Sequence, residues 1–464
     1  MNEFDLLIIG SGPGGYVAAV RASQLGIKTA VIEKAETGGI CLNWGCIPTK
    51  ALLKSAQVLD YARHAADYGI NAGEAPAADF NAVIARSRGV AEAMSKGVQY
   101  LFKKHNIQVI NGFGRLKGAG TVEVEAADNT RETYHAKHII IATGARSREL
   151  PNLKQDGKRI IGYREAMSLP ALPSSMVVVG SGAIGSEFAG FYRSMGTEVT
   201  LVEFMPRILP IEDEEVSRTL ERSFKKAKMK IMTASTVEKV DISGDKCIVT
   251  ISTPKGEVVT EADVVLSAIG ITANLEGIGL EECGVKTDRG RIVVDEFYRT
   301  SVNGLYAIGD VVPGPALAHV ASAEAVVCVE KIAGKNPDPV DYTNIPGCTY
   351  TTPEVASSGM TEAAAKEAGI ETITGKFMFM ASGKASAAGA REGFVKLVFN
   401  AVDGKLIGSH MIGMNVTEMI SSLVVARKMG ATAHDLMTSI HPHPTMSEGI
   451  MEAAADALGE AIHG

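Results

Sequence analysis

Cysteine, aromatic residues, basic charge and long apolar runs are all scarce in this chain, and each scarcity removes a class of protein. Six cysteines in 464 residues are too few to brace a fold with disulfides. Four of them, Cys247, Cys283, Cys328 and Cys348, lie far apart and read as small buried hydrophobes. A formal net charge of -7 offers no basic footprint for nucleic acid. No apolar run approaches the roughly 20 residues that a membrane span needs. The start, "MNEFDLLIIG", places acidic residues ahead of a strand, unlike the basic start and longer apolar core of a signal peptide. The expectation is a cytoplasmic protein. What the chain has in quantity is glycine, 49 residues, in a composition that is 46% hydrophobic but only 5% aromatic. That suits α/β architecture built from Val/Ile strands and Gly-rich turns, at a length that predicts about three domains.

The glycines fall into a repeated pattern. "FDLLIIGSGPGGYVAAVRASQLGIKTAVIEK" runs from an apolar strand through Gly10, Gly12, Gly14 and Gly15 into an Ala-rich helix, then into a second strand ending at Glu33. Gly10 permits a tight turn, Gly12 lets backbone approach a pyrophosphate, and Gly15 lets helix pack on strand. The helix start offers unpaired N–H groups to the phosphates, and Glu33 stands where a carboxylate can accept both ribose hydroxyls. "SMVVVGSGAIGSEFAGFYRSMGTEVTLVEFMPRIL" repeats the unit with Gly180, Gly182, Gly185 and Glu203. An acid at 203 favours a free 2′-hydroxyl, hence NAD over NADP; Arg207, slightly further on, is the residue that would compromise this. Two more segments favour FAD at the first turn. "HIIIATGARSRELP" and "TSVNGLYAIGDVV" read as buried strands, the second ending at Asp310, whose carboxylate would face the ribityl chain of a flavin.

"GGICLNWGCIPTK", residues 38–50, holds the one close cysteine pair. A zinc reading of Cys41 and Cys46 lacks further soft ligands at compact spacing, so no metal site is expected. A structural staple over so short a loop would hardly constrain the unfolded chain. A redox-active disulfide remains. In a regular helix residues five apart have Cα atoms about 8 to 9 Å apart, beyond the roughly 7 Å that a disulfide tolerates. The segment must therefore bend, and Gly45 is placed to allow it. Near the other end, "SIHPHPTMSEGIMEAA" offers His441, His443 and Glu448. A histidine held by a carboxylate suits the base that a dithiol needs before it attacks, and Thr445 or Ser447 would cap the last helix.

Together these elements resemble the pyridine nucleotide–disulfide oxidoreductases from end to end, and the cysteine motif is similar to the dihydrolipoyl-oxidising branch of that family. The implied fold is α/β, with two Rossmann-like dinucleotide-binding domains (FAD and NAD) and an α+β C-terminal dimerisation domain. The implied boundaries are 1–145 for the first part of the FAD domain, 146–270 for the NAD domain, 271–340 for a central region completing the FAD domain, and 341–464 for the interface domain. The resemblance makes Cys46 the thiol that touches the flavin and Cys41 the thiol that exchanges with substrate. Lys50 and Glu187 become a pair near the reactive flavin nitrogen. Gly114, Thr143, Gly144, and the amides of Ala318 and His319 become further FAD contacts, and Gly270 joins Glu187 among the NAD contacts. His443 becomes the acid/base, Glu448 its partner, and His441 structural. Trp44, where the family usually has a small aliphatic residue, is expected near the flavin.

The implied activity is oxidation of protein-bound dihydrolipoyl groups by NAD⁺. It is carried out by a homodimer whose active site is shared between subunits, acting on lipoyl domains of 2-oxo acid dehydrogenase complexes or of the glycine cleavage system. The rivals are a glutathione-type or mercuric reductase, or a non-catalytic flavin redox sensor. "GITANLEG" in place of an arginine-containing stretch, and "MASGKASAA" (380–388), depart from the family pattern.

Overall fold

The apolar run after Glu3 becomes strand β1 (Glu3–Ile9) in a computed structural model that describes residues 2–73 and 76–463. With β2 (Thr29–Glu33), β3 (Gln108–Asn111), β4 (Phe113–Gly118), β5 (Thr121–Glu125) and β6 (Arg131–Ile141) it forms a sheet ordered β3-β2-β1-β6-β5-β4. The strand Leu305–Ala307 adds to β6. The pairings β3-β2-β1-β6 are parallel, whereas β4, β5 and β6 run antiparallel. Leu6, Leu7 and Ile8 are wholly buried, as expected of parallel strands covered on both faces. Each such side chain stabilises the fold by about 1.5–3 kcal/mol, and Ile8→Ala would cost about 2–5 kcal/mol. Helix α1 (Pro13–Gln24) follows the first glycine turn, α2 (Gly39–Trp44) and α3 (Cys46–Arg63) hold the cysteines, and α4 (Phe80–Lys104) follows. Asp79 caps α4 by accepting from the Ala82 amide at 3.1 Å. This sheet belongs to a unit assembled from Met1–Leu52, Asp79–Arg148 and Gly270–Val340.

The remaining segments, Leu53–Ala78, Glu149–Ile269 and Asp341–Gly464, form a second unit. Its five-stranded parallel sheet runs Lys230–Met232, Glu198–Val202, Ser175–Val179, Val264–Ser267, Ile160–Ile161. The helix Ala183–Met195 follows the second glycine turn, and a three-stranded antiparallel sheet (Thr236–Asp241, Cys247–Thr253, Gly256–Ala262) lies between the last parallel strands in sequence. The C-terminal part is a five-stranded antiparallel sheet with helices Val416–Lys428 and Glu448–Ala457. That last helix lies so close to the sheet that a Cβ on Gly375 would stand 1.9 Å from the Ala453 carbonyl oxygen. Lys396 is buried in this sheet and held by Glu362, Glu215 and Asp213 at 2.5, 2.9 and 3.0 Å. Burial pushes its ammonium pKa down, but the three carboxylates outweigh burial and raise it. Among the described residues no helix is long and apolar enough to cross a membrane.

Candidate active site

The first glycine turn is shaped for a dinucleotide. Gly10 has φ +106°, and a Cβ there would stand 2.3 Å from the Ala142 carbonyl oxygen; on Gly15 it would stand 1.9 Å from the Gly10 carbonyl oxygen. Gly12 faces open space, since a Cβ there would meet nothing within 4 Å. It also begins α1 without a side-chain cap, so the helix presents bare amides of the kind that bind phosphate. Gly14 serves packing instead, because its bare Cα lets Ile308 and Ala321 approach to 3.2 and 3.4 Å of a Cβ position. Glu33 is buried and accepts from the Ser11 amide at 2.9 Å, the Ser11 hydroxyl at 2.6 Å and the Ala35 amide at 2.9 Å. A carboxylate offers about four acceptor sites. Acceptor capacity remains at Oε1 for a ribose hydroxyl.

Asp310 sits in a single 3₁₀ turn, Gly309–Val311, after the strand Leu305–Ala307. Burial pushes its carboxyl up, and the Arg291 charge offsets this only in part. Nearby, the helix Ala318–Ile332 starts at Leu317 without a side-chain cap, with Ala318 and His319 in its first turn. Thr143 donates to the Asn274 carbonyl at 2.7 Å, and Asn274 returns a bond to the Thr143 carbonyl at 3.0 Å. Gly144 has φ +66° and Gly270 φ +113°, and the Gly270 carbonyl accepts from the Arg148 amide at 3.0 Å. Gly114 lies against Ile9 and Ile32 in the core, where its lack of a side chain lets the strands close up. A glycine turn facing open space, an uncapped helix start and a buried carboxyl fit a bound flavin dinucleotide.

The second turn repeats the first. Gly180 has φ +95°, and a Cβ on Gly185 would again stand 1.9 Å from the carbonyl oxygen five residues earlier. Gly182 faces open space. Glu203 accepts from the Ser181 amide at 2.8 Å, the Ser181 hydroxyl at 2.6 Å and the Met205 amide at 2.7 Å. Arg207 is folded into its own loop, donating to the Pro210 carbonyl at 3.2 Å, with its Nε buried. Glu187, on the helix Ala183–Met195, is buried and accepts from the Tyr350 amide at 3.0 Å.

The cysteine segment breaks where the spacing requires. α2 ends at Trp44, Gly45 leaves helical geometry at φ -147°, ψ -117°, and α3 starts at Cys46. A Cβ on Gly45 would press within 3.1 Å of the Ile40 carbonyl oxygen and 3.3 Å of the Cys41 Cα. The bend brings the two thiols into hydrogen-bond contact. That bond and burial push the Cys41 thiol up, while the charge of Lys50 pulls it down. Cys46 is the exposed member and Cys41 the half-buried one. The indole of Trp44 donates to Glu36 at 3.0 Å and lies under the Arg88 guanidinium, 3.8 Å from ring centroid to carbon.

At the other end, His443 Nδ1 meets Glu448 Oε1 at 2.8 Å, and Glu448 Oε2 accepts from the Thr445 amide at 2.8 Å. Burial pushes the Glu448 carboxyl up, but the Thr445 amide and the histidine outweigh it and hold it low. An ionised carboxylate can only accept, so Nδ1 carries the hydrogen and the exposed ring presents its Nε2 lone pair. The helix cap differs from expectation. Ser447 makes no side-chain cap bond, and the Thr445 hydroxyl turns back to the Pro442 carbonyl at 2.7 Å; the Gly449 and Ile450 amides go to the Met446 and Ser447 carbonyls at 3.1 and 2.9 Å. His441 Nδ1 contacts the Ser439 carbonyl at 3.0 Å, outside the His443–Glu448 pair.

Comparison with known proteins gives these features a common frame. The sequence profile described as "Pyridine nucleotide-disulphide oxidoreductase" matches residues 4–325, and that of the corresponding dimerisation domain matches residues 345–454. The chain belongs to the pyridine nucleotide-disulphide oxidoreductase family. A dihydrolipoyl dehydrogenase of Rhizobium etli is 49% identical, covering 100% of this chain and 99% of its own length. One of Bacillus subtilis is 44% identical with the same coverage. Among solved structures, LpdA of Mycobacterium tuberculosis superposes with a TM-score of 0.90 at 29% identity, covering 98% of this chain and 99% of its own.

Within the family frame, the "GITANLEG" departure has a local explanation. Its strand Ile271–Ala273 pairs with Ala145–Ser147, and Arg146 reaches across to grip Glu276 with both guanidinium ends at 2.7 and 2.9 Å. The "MASGKASAA" stretch forms a short helix, Gly383–Ala387, capped by Ser382. Sequence reading missed the partners of Glu33 and Glu203, Ser11 and Ser181. The signal was present, because a serine follows the first glycine in both turns. It also missed α4, whose side chains touch the cysteine segment through contacts that no local pattern announces.

Proposed function

We propose that this chain oxidises protein-bound dihydrolipoyl groups to lipoyl with reduction of NAD⁺, as a cytoplasmic homodimer. Its partners are the lipoyl domains of 2-oxo acid dehydrogenase complexes or of the glycine cleavage system. The observation that carries the reading is the hydrogen-bonded Cys41–Cys46 pair at a helix break, in a chain related over its whole length to dihydrolipoyl dehydrogenases. The domain division proposed is 1–145 and 271–340 for FAD, 146–270 for NAD and 341–464 for dimerisation.

In the oxidised pair, a dihydrolipoyl thiolate attacks Cys41 Sγ. The Cys41–Cys46 bond breaks, and Cys46 leaves as a thiolate. The second substrate thiol gives its proton to Nε2 of His443 from the other subunit, and its sulfur attacks the mixed disulfide. The lipoyl ring closes, Cys41 is released as a thiolate, and two electrons reside on the pair. Glu448 keeps the histidine in the accepting tautomer and stabilises the imidazolium. Lys50 favours the Cys41 thiolate by its charge. Bound FAD would supply the two-electron chemistry that links the cysteine pair to NAD⁺. Gly10, Gly12 and Gly15 would hold its pyrophosphate, Glu33 its ribose, and Asp310, Ala318 and His319 its flavin end; Gly180, Gly182, Gly185 and Glu203 would hold NAD in the same way.

His443→Gln tests the assignment. Oxidation of dihydrolipoamide should fall by about 10²–10⁴-fold, while NADH oxidation by an artificial acceptor stays within a few-fold of wild type. Equal losses in both assays would overturn the role of His443.

A further inference from the structure

Helix α4 lays a row of donors along the cysteine segment. Arg86 donates to the Ala51 carbonyl at 2.8 Å, Ser87 to Pro48 at 2.9 Å, Arg88 to Asn43 at 2.6 Å and Ser95 to Thr37 at 2.8 Å. The Arg88 contact differs from the rest in place and in chemistry. Asn43 lies in the last turn of the six-residue α2, where carbonyls have lost their helical partners because the helix stops at Gly45. A guanidinium there makes a charge-assisted bond to an orphaned acceptor. The same guanidinium covers the Trp44 ring at 3.8 Å, a cation–π contact, while Glu36 holds the indole N–H at 3.0 Å. The two residues before the break are thus fixed by one side chain from outside the segment.

We propose that Arg88 is a positioning residue for the Cys41–Cys46 pair, holding α2 against α3 in the bend that brings the sulfurs together. The inference deepens the dehydrogenase reading, since it presumes a pair that cycles between dithiol and disulfide. Gly45 permits the bend but does not enforce it. Pro48 disfavours one continuous helix through residues 39–63, since its ring would meet the Trp44 carbonyl. Neither it nor Gly45 sets the angle of the bend, however, and a partial straightening there would carry positions 41 and 46 toward the roughly 8 to 9 Å of a regular helix, too far to bridge. Arg88 bonds to backbone that this straightening would displace, and its planar head holds the ring and the carbonyl together in a way that a lysine reproduces only in part.

The test uses the intact FAD-loaded protein, equilibrated anaerobically in dithiothreitol buffers of graded poise, with thiols counted by mass after alkylation. In Arg88→Ala the effective concentration of one thiol at the other should fall about tenfold, which makes the two-electron midpoint about 30 mV more positive. Acrylamide quenching of Trp44, the single tryptophan, should rise at least twofold. Arg88→Lys should restore the effective concentration to within threefold of wild type. Arg86→Ala removes a donor beyond the pair and should leave the midpoint unmoved. An unchanged midpoint in Arg88→Ala, or an equal shift in Arg86→Ala, would overturn the proposal. Should Arg88→Ala not accumulate folded, Arg88→Leu keeps the stem packed and is read in the same way. A wild-type pair that never closes takes down both this role and the dehydrogenase reading. A wild type that closes normally beside an unmoved Arg88→Ala removes only the role of Arg88.

Discussion

Gly10 and Gly180 stand at φ +106° and +95°, and a Cβ on them would meet a carbonyl oxygen at 2.3 and 2.5 Å. Glu33 and Glu203 each accept from a serine amide, the same serine's hydroxyl and the amide two residues on. To this point the two dinucleotide folds agree. They part in what surrounds the turn. The Ser11 hydroxyl also accepts from the Gly38 amide at 3.1 Å, joining the first turn to the segment that holds the cysteines. The Ser181 hydroxyl has no such second bond among the described residues. After the turn, the first fold has Gly14 under the close approach of Ala321 and Ile308, whereas the second has a partly exposed Ile184. One turn is built into a permanent interior, and the other is left accessible. That difference suits a resident cofactor on one side and an exchanging one on the other.

The largest expected effect comes from filling the last glycine of each turn. Either alanine would place a Cβ 1.9 Å from a carbonyl oxygen, and such overpacking distorts backbone. Gly15→Ala should yield protein without flavin absorbance. Gly185→Ala should keep its flavin yet bind NADH at least about 100-fold more weakly, roughly 3 kcal/mol, as read by titration. Loss of flavin from Gly185→Ala would break the separation between the folds. A smaller effect sharpens the contrast between the serines. Ser11→Ala removes two hydrogen bonds of the hydroxyl and Ser181→Ala one, at about 1 kcal/mol each, so denaturant unfolding should show the first variant to be about twice as costly. Equal costs would mean that the bond to Gly38 contributes nothing.

The smallest effect concerns Asp310, which has no counterpart in the second turn. Burial raises its folded pKa above the unfolded value, so its contribution to stability declines as pH rises through the carboxylate range. Asp310→Asn in flavin-free protein should therefore melt higher at pH 7, by roughly 1 °C. The gap should close below the ordinary carboxylate pKa, and a variant melting lower at neutral pH would contradict the assigned cause.

The legible parts of this molecule are those written in short-range spacing. Gly10 to Gly15 and Gly180 to Gly185 announced their turns, "LLII" and "VVV" their strands, and the five-residue step from Cys41 to Cys46 the break at Gly45. His443 and Glu448 also lie within one local motif. What stayed hidden depends on partners far apart in the chain. Arg88 reaches Asn43 across 45 residues, Ser11 reaches Gly38 across 27, and Arg146 reaches Glu276 across 130. No periodicity reports such pairings, because they exist only once the sheet has set the distances. The cap of the final helix failed for another reason: the Met446 and Ser447 carbonyls take the Gly449 and Ile450 amides, and the Thr445 hydroxyl is turned back to Pro442.

Gly39 limits how this chemistry can be moved or redesigned. It opens α2 with its backbone resting on Gly12, so near that a Cβ would stand 2.7 Å from the Gly12 Cα. The sulfur-bearing helix thus has the first glycine turn as its floor. A graft of the thirteen-residue cysteine stretch onto a foreign scaffold would arrive without that floor, so the transferable module is the whole span from the first strand through α3, together with the helix that braces it.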